Sequence, residues 1–303
     1  MADISTSSQF ELTVRVGCRM DYAVSSPVTL LANLKPRIDP GQLIQQEKLV
    51  LGNNAPCEEF EDLHGNIIYR VTLLPGVNEI LHDAVILVHA LPDNHDKGDD
   101  VPLAPSEIPP RLLRYTLPSR YCDSDKLLNF AWERFQSVPN GHPRVQAVCD
   151  WLHSNIEYRF GAGRPDIAAS EVIAQGYGVC RDFAHSAIAL CRTFNLPARY
   201  VTGHLPDIGY VDPASPMDFH AYFEVYLGGK WFTYDARYNI PRIGRVKLAC
   251  GLDAVDAAFS TIYGAANLTY FEVWAYQVPR GSVSVGDPID LSKRLDGSLD
   301  IRF

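Results

Sequence analysis

The chain has 303 residues, with 27 Lys and Arg against 36 Asp and Glu, which gives a formal net charge of −9. This length is enough for about two domains with a proper hydrophobic core. A hydrophobic share of 47% argues against a disordered chain. Because the balance is acidic and no Lys/Arg run occurs, nucleic acid is not an expected partner.

The sequence also argues against a membrane protein. Its longest apolar stretches are shorter than the ~18 residues that a membrane helix needs. The N-terminus MADISTSSQFELTV lacks the basic and apolar regions of a signal peptide, so we expect a cytoplasmic location. The seven cysteines are scattered and include no C-x-x-C pair. This pattern predicts free thiols in a reducing compartment rather than a disulfide framework or a zinc site.

Alternating apolar and polar residues dominate the first third of the chain, and this period of two is typical of half-buried strands. The segments with this character are 9–18, 28–36, 67–73 and 77–90. They predict a small antiparallel β domain. The segment 92–110 crowds prolines and charges together, which indicates a linker or an extended strap.

Helical spacing replaces the alternation after residue 110. Helices are predicted at 124–135, 143–158 and 166–176, and a fourth opens at Cys180 with apolar residues at helical intervals. Strands are predicted at 198–203, 220–227 and 230–236. The last two are joined by Gly228-Gly229, a strong signal for a hairpin turn.

Cys180 stands at the predicted start of a helix. The N-terminus of a helix exposes unpaired N–H groups and a partial positive charge, which favour a thiolate over a thiol. With an imidazolium nearby, this position can lower a cysteine pKa from about 8.5 to roughly 3.5–7.5. The same N–H groups could hold an oxyanion formed by attack on a carbonyl. Cys180 is therefore a candidate nucleophile.

The hairpin supplies a candidate base. If Gly228-Gly229 form a two-residue turn, Asp235 faces Tyr222, which shares a face of the strand with His220. His220 and Asp235 are then diagonal neighbours, about 7–8 Å apart at Cα and within side-chain reach. The opposite face of the hairpin is apolar and suits a core. The spacing thus predicts a carboxylate that orients an imidazole, as the base of a nucleophile requires.

Other residues near these positions have ordinary structural explanations. Cys149 and Cys191 fall on apolar helix faces and are predicted to be core residues, while His185 is expected to pack or to lie at the surface. Arg181 and Asp182 are expected to be exposed charges in the first turn of the Cys180 helix. The aromatic residues Tyr222, Tyr226 and Trp231 are expected to pack against the same helix.

The segments GVCRDFAHSAIALCRTFNLPARYVTG and MDFHAYFEVYLGGKWFTYDAR resemble the bacterial transglutaminase-like superfamily, which is related to the papain-like cysteine peptidases. In that family the cysteine lies in a G-x-C motif at a helix start, the histidine opens a strand as H-A-x-x-E-V, and the aspartate ends the next strand after a tryptophan. Cys180, His220 and Asp235 match these positions. The N-terminal segment also resembles the β-rich region that precedes this domain in many bacterial members.

The resemblance implies an α+β fold with a papain-like, transglutaminase-like core. In this core the helix that carries the nucleophile packs on an antiparallel sheet, and a small antiparallel β domain precedes it. The implied organisation is an N-terminal β-rich domain at 1–91, a linker at 92–110, a catalytic domain at 111–280 and a C-terminal tail at 281–303.

The resemblance also implies an activity. Cys180 would attack an amide carbonyl to form a thioester, His220 would move the proton, and Asp235 would orient His220. This chemistry requires no cofactor and no metal, and its substrate is a peptide or protein amide. Gln175 lies roughly where papain-like enzymes place an oxyanion-hole side chain, although the spacing to Cys180 differs from theirs.

Three functions stay open at this point. The leading hypothesis is a cysteine-dependent amide hydrolase, either a peptidase or an amidase. Acyl transfer from glutamine to an amine, as in a transglutaminase, passes through the same thioester. A non-catalytic peptide-binding module is the third, and an intact Cys-His-Asp set counts against it.

Overall fold

The computed structural model of the protein describes residues 10–211 and 216–296. The first residue of the predicted strand 9–18 and the end of the predicted tail, residues 297–303, lie outside the described residues. The strands are β1 (Leu12–Val24), β2 (Val28–Ala32), β3 (Gln42–Leu51), β4 (Cys57–Glu61), β5 (Ile67–Leu73), β6 (Gly76–Val88), β7 (Glu157–Tyr158), β8 (Tyr177–Gly178), β9 (Ala198–His204), β10 (His220–Leu227), β11 (Lys230–Tyr234), β12 (Val246–Gly251), β13 (Ser260–Tyr263) and β14 (Asn267–Val278). The α-helices are α1 (Leu128–Phe135), α2 (His142–Asn155), α3 (Ala169–Gln175), α4 (Cys180–Arg192) and α5 (Ala254–Ala257).

Two antiparallel sheets contain the strands of the N-terminal region together with β13 and β14. Their strand orders are β14-β1-β6-β3 and β13-β2-β5-β4. Apolar residues from both sheets share one core, which includes Met20 and Ile80 from the first sheet and Leu30 and Val71 from the second. The two sheets therefore pack face to face, because each strand turns one apolar face inward. The predicted N-terminal β-rich region is confirmed.

A third sheet, of order β11-β10-β9-β12, carries the helices. Helix α4 packs on the face of β10 that presents Phe223 and Val225, and these side chains share a core with Ala187 and Ile188 of the helix. The period of the apolar residues in α4 matches this buried face. The fold class predicted from the sequence, an α+β core with an antiparallel sheet and a preceding β region, is confirmed.

The last two strands return to the N-terminal sheets. Strand β13 pairs with β2, and β14 pairs with β1 along most of its length. Residues 260–278 lie inside the range predicted for the catalytic domain, 111–280, whereas their hydrogen bonds complete the N-terminal sheets. The predicted domain boundaries stay a prediction, and the two halves share strands rather than only a linker.

The segment 92–110 runs as a strap along the edge of the third sheet. Asn94 holds the backbone of Thr233 in edge strand β11 through two hydrogen bonds, of 2.5 and 2.8 Å. Asp100 contacts His142 at the start of α2 at 3.4 Å. Because an uncovered edge strand invites pairing with other chains, this strap protects the hairpin that carries His220.

Candidate active site

Cys180 is the first residue of helix α4, as predicted. The carboxylate of Asp182 folds back and accepts the Val179 N–H at 3.0 Å, which fixes the turn before the helix. A Cβ on Gly178 would lie 2.8 Å from the Cβ of Asp182, so this packing leaves room only for glycine. Asp182 is 1% exposed, and the expectation of a solvent-exposed charge is therefore wrong for this residue.

The hairpin has the predicted register. Phe223 pairs with Tyr234 and Leu227 with Lys230, and the turn residue Gly228 has a φ of 55°, as a two-residue turn requires. Asp235 follows directly after strand β11 and lies beside His220, where its Oδ2 is 2.6 Å from the ring Nε2. The predicted contact of these two side chains is confirmed. Since Nε2 is engaged, Nδ1 is the ring nitrogen left for a nucleophile.

Asp235 is held by four donors. Its Oδ1 accepts the backbone N–H groups of Arg237 and Tyr238, each at 3.2 Å. Its Oδ2 accepts from His220 and also from the guanidinium of Arg245 at 3.1 Å. Burial alone would raise the pKa of Asp235, but His220, Arg245 and the backbone donors hold it well below its usual range. Asp235 is thus an anion with a fixed orientation.

Loss of solvent contact favours the neutral forms of the nucleophile and the base. Burial lowers the pKa of His220 below its ordinary value, although Asp235 opposes this. Burial also raises the pKa of the Cys180 thiol to about 11, although a backbone hydrogen bond from Ala221 opposes it. This direction is opposite to the lowered Cys180 pKa that the helix N-terminus predicts, because the loss of solvent in the cleft outweighs the effect of the helix N-terminus.

Two cavities meet at Cys180 and His220. The smaller has a volume of about 60 Å³ and a polar wall that includes Asp207, Asp218 and Arg237. The larger has a volume of about 610 Å³, and we name it the apolar lobe. The residues that line the apolar lobe are Tyr121, Tyr158, Phe160, Gly161, Gly163, Pro165, Val179, Cys180, Arg181, Tyr200, Thr202, Asp218, Phe219, His220, Ala221, Ala254, Val255, Ala258, Phe259, Ser260 and Thr261.

A third cavity, of about 130 Å³, lies behind Asp235 against Cys149. Neither Cys180 nor His220 lines it, so it is not the cleft in which a substrate meets the nucleophile. Among residues 10–211 and 216–296, no group of three or more His, Cys, Asp or Glu side chains is placed to hold a metal ion.

Gln175 does not reach the cleft. Its side-chain amide donates to the carbonyl oxygen of Tyr177 at 2.7 Å, and the residue lines neither cavity at Cys180. The structure therefore does not support its role in an oxyanion hole. The donors that the fold offers instead are the unpaired N–H groups in the first turn of α4, which are suited to an oxyanion.

Arg245 was not predicted from the sequence. This residue is 7% exposed and bridges Asp235 to Asp93, whose Oδ2 lies 2.8 Å from the arginine Nε. It lies ten residues beyond Asp235 across an irregular segment, and neither periodicity nor a motif marks it. Glu224 of the H-A-x-x-E-V motif also has a structural explanation, since it is buried between Arg199 and Lys247, which hold its pKa at about 2 against the effect of burial.

The three aromatic residues on the His220 face do not pack against helix α4. Tyr226 and Trp231 pack against Tyr115 of a 3₁₀-helix at Pro110–Thr116, and Tyr222 lies beneath the guanidinium of Arg245. The expectation that they contact the Cys180 helix is wrong, because that helix occupies the opposite face of the sheet. By contrast, His185 is buried in the core, as expected for a packing residue.

The chain is similar to a known protein family and to a solved structure. The sequence profile of the transglutaminase-like superfamily matches residues 132–236. A crystal structure of a candidate cysteine protease from Cytophaga hutchinsonii is 31% identical, covers 88% of this chain and 91% of that chain, and superimposes with a TM-score of 0.79. The chain belongs to the transglutaminase-like superfamily. The family resemblance seen in the sequence is confirmed.

As a member of this superfamily, the protein is a transglutaminase-like enzyme. An uncharacterized protein of Mycobacterium leprae (strain TN) is 29% identical over an alignment of 269 residues, which covers 86% of this chain and 96% of that protein. The likeness thus extends beyond the profile match and includes the N-terminal β region. Among the described helices of the transglutaminase-like enzyme, none is long and apolar enough to cross a membrane.

The seven cysteines of the transglutaminase-like enzyme are free, and only Cys57 and Cys180 are not buried. We expect iodoacetamide to label Cys180 at a rate that rises about tenfold per pH unit towards its pKa of about 11, because the thiolate is the reactive form. Peptide mapping after brief labelling at several pH values measures this. Cys57→Ser removes the competing thiol, and a rate that levels off below pH 8 would contradict a neutral resting pair.

Proposed function

We propose that this protein is a cysteine-dependent amide hydrolase that acts through Cys180, His220 and Asp235. The observation that carries the proposal is the 2.6 Å contact between Asp235 and His220, beside a cysteine that opens a helix in the same cleft. An oriented base next to a nucleophile is the arrangement that acyl transfer requires. The substrate is a peptide or protein amide.

The first half of the reaction forms a thioester. His220 takes the proton from the Cys180 thiol as the sulfur attacks the amide carbonyl, and the N–H groups at the start of α4 stabilise the oxyanion. The resulting imidazolium is stabilised by the anionic Asp235. His220 then gives its proton to the leaving amine as the C–N bond breaks, which leaves the acyl group on the sulfur.

The second half regenerates the enzyme. Water enters beside His220, which removes a proton as the water oxygen attacks the thioester carbonyl. The C–S bond breaks, Cys180 recovers its proton, and the free acid leaves. The small polar cavity lined by Asp207, Asp218 and Arg237 supports water as the acceptor, since its volume of about 60 Å³ admits only small molecules. An enclosed apolar channel for a lysine-like amine would favour transfer instead.

We expect water to capture most of the acyl-enzyme. The protein is incubated with an unbiased peptide library, and the cleaved peptides are identified by mass spectrometry. The best substrate is then given an excess of a labelled primary amine, and the free acid and the amine adduct are quantified. Predominant free acid supports a hydrolase, whereas predominant adduct at modest amine concentration would replace this proposal with a transglutaminase. Cys180→Ala in parallel identifies background cleavage.

We also propose that the enzyme works in the cytoplasm. All seven cysteines are free, and five of them are buried, so none of those five is available to a partner thiol without unfolding. Free thiols are typical of a reducing compartment. Fractionation of the source cells, followed by detection of the protein with an antibody, tests this location.

A further inference from the structure

The apolar lobe has the properties of a binding site for one part of the substrate. Its volume of about 610 Å³ lies within the usual range for ligand pockets. Cys180 and His220 line it, so a side chain bound there is attached close to the reacting carbonyl. A site of this kind decides which substrates reach the nucleophile.

The floor of the lobe is built on the nucleophile's own helix. His185 of α4 packs between two rings: it stacks on Tyr121, with ring centroids 5.0 Å apart, and contacts the tilted ring of Tyr200 at 4.9 Å. Its Nε2 accepts the backbone N–H of Ala254 at 3.1 Å, which fixes the start of helix α5 in the opposite wall. Both tyrosines and Ala254 line the lobe, so one buried ring of helix α4 contacts three residues of the lobe.

The N-terminal sheets support the far wall. Ser260 and Thr261 line the lobe and also begin strand β13, which pairs with β2. Phe259 stacks on Phe219, the residue before His220, with ring centroids 4.7 Å apart. This wall is therefore part of a continuous β structure, and the lobe is preformed rather than created by a loose loop.

The lobe offers little to a charged side chain. Among the described residues that line it, the charged ones are Arg181 and Asp218, both close to Cys180. The guanidinium of Arg181 already contacts Asp182 at 3.1 Å and a backbone oxygen. The walls farther from the sulfur consist of aromatic and small apolar side chains, backbone and hydroxyl groups. A buried charge without a partner is costly, so these walls favour an apolar group.

We propose that the apolar lobe binds a large apolar or aromatic side chain in the acyl half of the substrate, next to the scissile amide. The acyl half must stay bound through both steps, whereas the leaving half must depart before water attacks. Binding surface is therefore useful on the acyl side, and the larger cavity supplies it. This inference rests on the proposed amide hydrolase and specifies its substrate class.

The test uses N-acetyl aminoacyl fluoromethyl ketones, which alkylate a cysteine and carry a side chain only in the acyl half. Probes with Phe, Leu, Ala, Asp and Lys side chains are compared by the rate at which mass spectrometry detects Cys180 labelling. We expect the Phe and Leu probes to react about tenfold or more faster than the Asp and Lys probes, since an apolar pocket discriminates on that scale. Iodoacetamide, which has no side chain, reports the reactivity of the thiol itself.

Val255→Asp places a charge at the rim of the lobe, where the native side chain is 55% exposed and a substitution is compatible with folding. It should slow the Phe probe about tenfold and change the iodoacetamide rate less than twofold. Leu63→Asp, at a residue 95% exposed and outside the lobe, is the matched control and should change neither rate.

Equal rates for all five side chains, or faster reaction of the charged probes, would overturn the inference while leaving the hydrolase intact. A Phe preference that survives Val255→Asp unchanged would place the apolar site elsewhere and also overturn it. If Cys180 reacts with no ketone and the protein hydrolyses no peptide, the proposed hydrolase itself fails. The two failures are therefore distinguishable.

Discussion

Asp235→Asn should reduce turnover by about a thousandfold or more while the fold stays intact. Asparagine can still contact His220, but it lacks the negative charge that stabilises the imidazolium formed when the thiol loses its proton. It can also present its amide N–H to Nε2, which would fix the ring in the wrong tautomer. Steady-state hydrolysis of the best library peptide, with circular dichroism as the check on folding, measures the effect.

Asp93→Asn is the matched control for this substitution. Asp93 contacts Arg245 at 2.8 Å but does not contact His220. Its substitution therefore changes the surroundings of Asp235 but keeps the Asp235 carboxylate that contacts His220. We expect a much smaller loss of turnover for Asp93→Asn than for Asp235→Asn. Cys180→Ala gives the background rate of hydrolysis without covalent catalysis. Equal turnover in the native protein and in Asp235→Asn would remove Asp235 from the catalytic set.

Arg245→Met should have the largest effect on stability. The substitution leaves Asp93 and Asp235 buried without their shared cation, and breaking a buried ion pair typically costs about 3–5 kcal/mol. Urea denaturation near neutral pH gives the free energy of unfolding. Arg19→Met is the control, because the Arg19 side chain is 39% exposed and such surface pairs contribute about 0–1 kcal/mol.

The destabilisation should shrink in acid. Arg245 helps to keep the pKa of Asp235 well below its usual range in the folded protein, so this contribution is present above the unfolded pKa of about 3.9 and is lost as pH falls below it. The stability difference between the native protein and Arg245→Met should therefore be constant above about pH 5 and decrease as the pH falls below about 4. A difference that is constant with pH would mean that the arginine acts through packing alone.

The parts of the site that were predicted correctly depend on local sequence. The start of helix α4 at Cys180 follows from its apolar period, and the contact between His220 and Asp235 follows from a two-residue turn whose register can be counted. The protonation state of Cys180 could not be predicted in the same way, because it depends on atoms brought from several distant segments. Arg245 was missed for the same reason.

The missed strands have a similar explanation. Strand β3 was not recognised because its five apolar residues come in two runs and do not alternate with the polar ones, and Gln42 is its one buried residue. Strand β14 pairs with β1, which lies more than two hundred residues earlier in the chain, and no local sequence pattern predicts this pairing. The sequence thus predicted the individual strands that carry the site, but it did not predict how distant strands pair in the N-terminal sheets.

The pairing of β14 with β1 constrains how the chain can be made. Strand β1 lies between β6 and β14 in its sheet. One edge of β1 is therefore unpaired until β14, which ends at Val278, has been synthesised. A ribosome adds residues at about 5–20 per second, and an N-terminal region usually folds as a unit before synthesis ends. Here that region cannot complete its sheet until the residues up to Val278 have emerged. The nascent chain therefore carries an unpaired strand edge for many seconds, a state in which we expect it to need protection from aggregation.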